Sequence, residues 1–207
     1  PPEGIHCVHI LTCGNSGPRK GSPHQPTGPL ARGKILSAPV VPFPGPGLRD
    51  RSLLVLAGSR RGVRVGAAAV EGWDFLGRVV STGPFHCRVA RPGDQGLALR
   101  VLVSRPGPSG RVRRIFRGRL LPPSGRKLPF RWAPDRAGGG LAAGDLVWTA
   151  PDGLDLPKGL FVGTVARVSR IGGKGPQCVV LRAPPGTAGL PGRVGIFRFG
   201  RLEGRER

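Results

Sequence analysis

Four groups of residues in this chain carry side chains that could do chemistry. Near the start, His6, Cys7, His9 and Cys13 offer two imidazoles and two thiols, donors that zinc favours. Their spacing, His-Cys-x-His-x-x-x-Cys, fits no standard zinc pattern, and the surrounding Pro/Ser/Gly-rich stretch contains no strand pair to hold a site. The second group is His86 with Asp74 and Asp94 as the nearer acids. A hydrolytic triad would also need a serine in a glycine-rich nucleophile setting, and the sequence has none. The third is Gly58, Gly62 and Gly66, a glycine spacing that invites comparison with a phosphate-cradling loop. That loop needs Gly-Lys-Ser/Thr opening a helix; here the lysine is missing and a strand follows. The fourth is a basic run: Arg111, Arg113, Arg114, Arg117, Arg119, Arg126, Lys127, Arg131 and Arg136, with Asp135 as its acid. Its chemistry is attraction rather than reaction. The expectation is a protein without catalytic residues, metal or cofactor.

The basic run belongs to a chain that is basic throughout. Thirty-three Lys and Arg stand against eleven Asp and Glu, a net charge of +22. Residues 1–47 carry +3, residues 48–140 carry +14 and residues 141–207 carry +5. Such an excess draws polyanions: nucleic acid, acidic lipid or an anionic wall polymer. It also follows from GC-rich coding, which favours Arg, Gly, Pro and Ala. An RNA-binding β-barrel of the ribosomal sort is the alternative reading, but base stacking needs aromatic platforms. Aromatic residues make up 5% of the chain, tyrosine is absent, and Trp73, Trp132 and Trp148 are scattered, which disfavours nucleic acid. Cys87 and Cys178 lie on expected strands and read as small buried apolar residues, with a disulfide between them left open.

Positioning falls to β-strands. Thirty-six glycines and twenty-four prolines oppose long helices and favour short strands joined by turns. Residues 1–34 lack periodicity and read as a disordered tail or linker. The chain begins at Pro1 without any methionine, as a trimmed product or a fragment would, and no run is long enough to span a membrane as a helix. About eleven strands are expected, among them Ile35–Val41, broken at Pro39; Ser52–Ala57, wholly apolar and so buried on both faces; Leu97–Val103; Arg111–Leu121; Gly125–Trp132; and Gln177–Leu181. Gly144-Asp145 forms a tight turn feeding Leu146–Thr149, and Phe161–Val168 alternates, with a bulge or close approach at Gly163. Leu53, Val55, Leu76, Val79, Val101, Leu146, Val162 and Val165 are the expected core. In the basic strand, period two sends Arg111, Arg113, Arg117 and Arg119 to one face and Val112, Phe116 and Gly118 to the other. Arg114 and Ile115 break the register, which suggests a bulge. Like charges so close resist burial, so this face should meet solvent and an anionic surface, either acidic phospholipid headgroups or an acidic partner.

Several blocks, in order along residues 48–170, resemble the MreC family of bacterial rod shape-determining proteins. An apolar strand is followed by Gly58-Ser59, Gly62-Val63 and Gly66. Leu76-Gly77-Arg78-Val79-Val80 is similar to the family's apolar-x-Gly-Arg/Lys-Val-Val. Arg105, Gly107, Gly110 and Val112 match an arginine-glycine hairpin. Gly144-Asp145 with Thr149, then Pro157, Gly159 and Gly163, matches the family's longest block, with Leu156 in place of the usual Phe. The resemblance implies an all-β fold of two small six-stranded barrels on the periplasmic side of the cytoplasmic membrane. It implies a non-catalytic scaffold for cell-wall elongation, partnered with a class B penicillin-binding transpeptidase and MreD, indirectly with MreB, and capable of self-association. The membrane helix and coiled coil that precede the family's β region are not in this chain. Strand count and the joint at Gly138–Gly140 suggest one barrel from residues 35–72 with 141–182, a second from 73–140 inserted in it, and a solvated tail at 183–207.

Overall fold

The computed structural model describes residues 33–41, 52–94, 97–107, 112–122, 130–135, 140–151, 156–170, 177–183 and 191–199. The cluster of His6, Cys7, His9 and Cys13 lies outside them. The described residues form twelve strands and one 3-10 turn (Ser59–Arg61), with no α-helix among them.

Hydrogen bonding closes the strands into two rings. Strands β1 (Gly33–Val41), β2 (Leu53–Val55), β3 (Ala68–Glu71), β4 (Asp74–Thr82), β5 (Cys87–Ala90) and β12 (Arg193–Phe199) pair in the order β1-β2-β5-β4-β3-β12 and back to β1, all antiparallel. Strands β6 (Leu99–Pro106), β7 (Val112–Leu121), β8 (Phe130–Pro134), β9 (Leu146–Thr149), β10 (Phe161–Arg170) and β11 (Gln177–Arg182) close likewise, as β6-β7-β8-β11-β10-β9 and back to β6. A parallel contact of Phe161 with Asp74 joins β10 to β4. The fold is thus all-β, with two six-stranded barrels.

All eight expected core residues are buried, because a closed barrel turns one set of alternating side chains inward. Leu53, Val55, Leu76 and Val79 fill the first barrel with Ile196 and Val194, while Val101, Val162 and Val165 fill the second around Trp132. Gly118 makes room for that indole: a Cβ there would come within 2.5 Å of its ring. Ala68, Val70, Phe75, Ala90 and Phe197 lie on strands of the first barrel yet pack into the second core, so the two barrels share one apolar wall.

The strand pairing groups the chain differently from the sequence-based division. β4 and β5, expected in a unit spanning residues 73–140, complete the first barrel, and every strand of the second comes from residues 99–182. The expected C-terminal tail holds β12, whose Val194, Ile196 and Phe197 are buried and whose backbone pairs along most of β1. Without β12 the strands of residues 33–90 are one short of a closed ring of six, and the sequence-based division completed its first barrel from residues 141–182 instead. Gly33 and Lys34, assigned to the N-terminal linker, belong to β1. The stretch Ser52–Ala57 alternates rather than being buried on both faces: β2 covers three residues, Leu54 is half-buried and Leu56 is exposed. β8 begins at Phe130, and residues 123–129 lie outside the described ones.

Cys87 and Cys178 are buried, unpaired and in different barrels. Burial pushes the Cys87 thiol from 9.0 up to about 11, so the neutral thiol is the native form. Its contribution to stability is complete below about pH 9 and is lost as the pH rises towards 11. Two outcomes are expected. Alkylation at pH 8, mapped by mass spectrometry, should reach Cys87 only in denaturant. Val165→Ala should lower the unfolding free energy by about 1–3 kcal/mol in urea titration, since it opens a void in a closed core.

Candidate interaction surface

The glycines that suggested a phosphate loop serve a backbone-to-backbone contact instead. A Cβ on Gly58 would lie 2.2 Å from the Gly83 carbonyl oxygen, so only glycine lets this loop press against the β4–β5 turn. The Ser59 amide donates to Gly83 at 2.9 Å and the Arg60 amide to Pro84 at 3.2 Å. Gly62 takes a left-handed conformation (φ 76°) that ends the 3-10 turn, and Val63 drops into the first core. Gly66 donates its amide to the Val79 carbonyl, and its own carbonyl accepts the Arg78 Nε–H at 3.1 Å. Gly77 passes Ala90 so closely that a Cβ would meet its carbonyl oxygen at 2.2 Å. Arg78, in the motif Leu-Gly-Arg-Val-Val, is therefore a buried staple for the Gly66 turn.

The second motif block builds two clasps. Asp145 is 1% exposed and accepts the Arg105 Nε–H and Nη2–H, each at 2.8 Å, together with the Ala142 amide at 2.8 Å. Arg105, about one-third exposed, also donates to the Gly140 carbonyl and lies over the Phe116 ring. Its guanidinium is held further above its ordinary range by the hydrogen bond to Asp145. Asp145 and Gly144 in turn bond the Val165 backbone, which fixes the turn onto β10. Thr149 is wholly buried; its hydroxyl donates to the Pro157 carbonyl and accepts the Leu160 amide, and its carbonyl accepts the Gly159 amide. At Gly163 the register with β9 shifts, and a Cβ would lie 2.5 Å from the Arg182 carbonyl oxygen, as expected for a bulge with close approach. Among the described motif residues, Gly58, Gly62, Gly77 and Gly163 serve close backbone approach or turn geometry, and Arg78, Asp145 and Thr149 bond the backbone of neighbouring turns.

The titratable residues are equally committed or isolated. Asp94 is buried and accepts the Arg91 amide at 2.7 Å. Burial, with Glu71 nearby, raises the Asp74 carboxyl. His86 is exposed on the β4–β5 turn, and its carbonyl accepts the Gly83 amide. Among the described residues no ion pair joins His86 to Asp74 or Asp94, and no group of His, Cys, Asp and Glu could hold a metal.

The outer face of β6 and β7 carries a group of solvent-exposed basic and apolar side chains. Leu99 and Leu120 pair inward; the next pair, Arg100 and Arg119, points outward, followed by Leu102 with Arg117 and Ser104 with Ile115. Arg131 on β8, opposite Leu121, and Trp148 on β9, opposite Leu102, extend the face. Arg100, Arg117, Arg119 and Arg131 are exposed, Ile115 is 66% exposed, and Leu102, Leu121 and Trp148 are half-buried. The Trp148 Nε1–H donates to Ser104 at 2.9 Å and its ring meets Phe161 at 4.9 Å. Among the described residues no carboxylate pairs with these four arginines. The register break expected at Arg114 and Ile115 falls between Val112 and Arg114, which leaves Arg113 as the extra residue. Arg111, Arg126, Lys127 and Arg136 lie outside the described residues. The sequence reading missed Arg100, which stands on a different strand from the basic run, and the Arg105–Asp145 clasp, whose partners are forty residues apart.

Removing the Asp145 carboxylate should cost on the order of 2 kcal/mol, because it orphans the Ala142 amide and releases a partly solvated guanidinium. In urea titration Asp145→Asn, which keeps an acceptor for that amide, should be milder than Asp145→Ala.

Comparison with known proteins places this geometry. No curated protein sequence matches the chain. A structure of the major periplasmic domain of the cell shape-determining filament MreC superposes with a TM-score of 0.66 at 15% identity, over 84% of this chain and all of that one. MreC from Pseudomonas aeruginosa gives 0.57 at 19% identity, over 80% of this chain and 99% of that one. A complex between Penicillin-Binding Protein (PBP2) and MreC from Helicobacter pylori gives 0.55 at 17% identity, over 80% and 99%. At these identities the likeness is one of fold. The family model of the barrel core of the rod shape-determining protein MreC matches residues 45–182, two-thirds of the sequence and most of both barrels. The chain belongs to the MreC family of rod shape-determining proteins.

Proposed function

We propose that this chain is a non-catalytic scaffold of the bacterial cell-wall elongation machinery. It would act on the periplasmic side of the cytoplasmic membrane and contribute to cell shape by binding peptidoglycan-synthesis enzymes. The observation that carries this reading is the family match over residues 45–182, which spans strands of both barrels. The first partner is a class B penicillin-binding transpeptidase, a reading supported by the Helicobacter pylori relative, solved in complex with PBP2. MreD, MreB at one remove and a second copy of the chain are further proposed partners. No helix among the described residues is long and apolar enough to cross a membrane. On this reading the barrels are the surface presented to partners. Polar side chains committed to backbone clasps support a role in binding rather than turnover. Trp132 is buried in the second core and Trp148 is tied to Ser104 and Phe161, while the exposed Trp73 and Phe85 stand on different turns; among the described residues no row of aromatic faces is offered to stacked bases, which argues against the RNA-binding alternative.

Two measurements test the proposal. The purified chain should bind the class B transpeptidase of its own organism saturably in biolayer interferometry, and expression should restore rod shape to cells depleted of their own MreC. A folded chain that does neither would overturn the scaffold reading. His86→Ala should rescue shape as well as the unaltered chain; loss of rescue with normal transpeptidase binding would argue for catalysis.

A further inference from the structure

We infer that the outer face of β6 and β7 docks on the surface of an anionic phospholipid bilayer. The inference is independent of the transpeptidase-binding reading and starts from a local conflict. Arg100 and Arg119 are directly opposed in the antiparallel register, an arrangement in which like charges destabilise the pair. Arg117 follows two residues along, and Arg131 lies diagonally across on β8. None of the four pairs with a carboxylate among the described residues, so their repulsion is relieved only by solvent or by an external anion. Within residues 97–182, sixteen Lys and Arg face four Asp and Glu, so the surrounding field has the same sign.

The same face exposes aliphatic side chains among the guanidinium groups. Ile115 is 66% exposed, and Leu102 and Leu121 are half-buried. A bilayer interface satisfies both classes at once. Guanidinium groups take phosphate oxygens in bidentate hydrogen bonds, while short apolar side chains enter the boundary between headgroups and acyl chains. Single-stranded nucleic acid would instead need free aromatic faces, and Trp148 is half-buried against Phe161. An acidic protein could also cover this face, and the vesicle test below separates the two.

The test is co-sedimentation of the purified chain with phosphatidylcholine vesicles, with and without 30% phosphatidylglycerol (an order-of-magnitude fraction giving a surface potential that attracts about 1 kcal/mol per basic residue), across a salt series. Arg117→Glu/Arg119→Glu is compared with Arg64→Glu/Arg193→Glu, which changes the net charge equally at exposed positions of the first barrel. Because Arg119→Glu sets a carboxylate opposite Arg100, that variant should fold at least as well, which circular dichroism checks. The unaltered chain should bind only the anionic vesicles, and less as salt rises. The β7 pair should weaken partitioning by at least about 30-fold, from the loss of two arginines at about 1 kcal/mol each before any repulsion of the new carboxylates, and the distant pair should do so far less. Ile115→Ser should weaken it further without altering the salt dependence. Equal loss in both charge-reversal pairs would reduce the effect to net charge and overturn the inference. So would binding that ignores salt, or an intact transpeptidase complex lost on β7 reversal while vesicle binding persists, which would assign the face to a protein.

Discussion

The whole arrangement depends on three neighbouring strands that must be covered on both faces. In β3 the residues Ala68, Ala69 and Val70 are all buried; in β4 Phe75 and Leu76 are buried side by side; in β12 Ile196 and Phe197 are. Ala69, Leu76 and Ile196 face the first core, while Ala68, Val70, Phe75 and Phe197 face the second. A two-faced strand of this kind has no stable place at the surface, since each fully buried aliphatic or aromatic side chain contributes roughly 1.5–3 kcal/mol relative to its exposed state. The two barrels are therefore not beads on a string. The wall of one is part of the filling of the other, and the parallel contact of Phe161 with Asp74 sits at that wall. The small side chains of β3 suit this position: alanines let two cores approach across a single backbone.

The polar residues follow from the same economy of space. A six-stranded barrel has a narrow interior, and the loops capping it must lie close to strands that are already hydrogen-bonded. Gly58, Gly77 and Gly163 let backbones touch where any side chain would collide. Arg78, Asp145 and Thr149 then satisfy the carbonyls and amides those turns leave over. These residues serve rigidity, and the outward-facing positions carry the variation in charge and exposure.

Much of this was legible in the sequence, and the parts that were not share a cause. Alternation placed the eight core positions, and glycine spacing placed the turns and the bulge at Gly163, because both are local properties of a pleated backbone. Pairing is not local. Val194-Gly195-Ile196-Phe197 is apolar and buried on both faces, but its Pro/Gly-rich surroundings resemble a tail, and its partner β1 is more than 150 residues away. Missing it forced the wrong grouping of strands. Arg100 was overlooked for the same reason: its place beside Arg119 exists only through the β6–β7 register. Asp145 announced a turn, while the guanidinium that fixes it came from residue 105.

The last strand also sets an order of events as the chain is made. Every strand of the second barrel lies within residues 99–182, so it can close as soon as that stretch is available. The first barrel cannot: β1 waits for β12, and until then pairs with β2 alone, at Val40 and Val41. Bridging so long a loop is slow because its closure entropy precedes any gain from contacts. Phe75 and Val70 are available earlier and can settle on the finished second barrel. The second barrel thus offers a surface on which the first can assemble, with Phe197 of β12 the last side chain to enter the shared wall, and the unpaired edge of β1 is an aggregation hazard in the interval before β12 arrives.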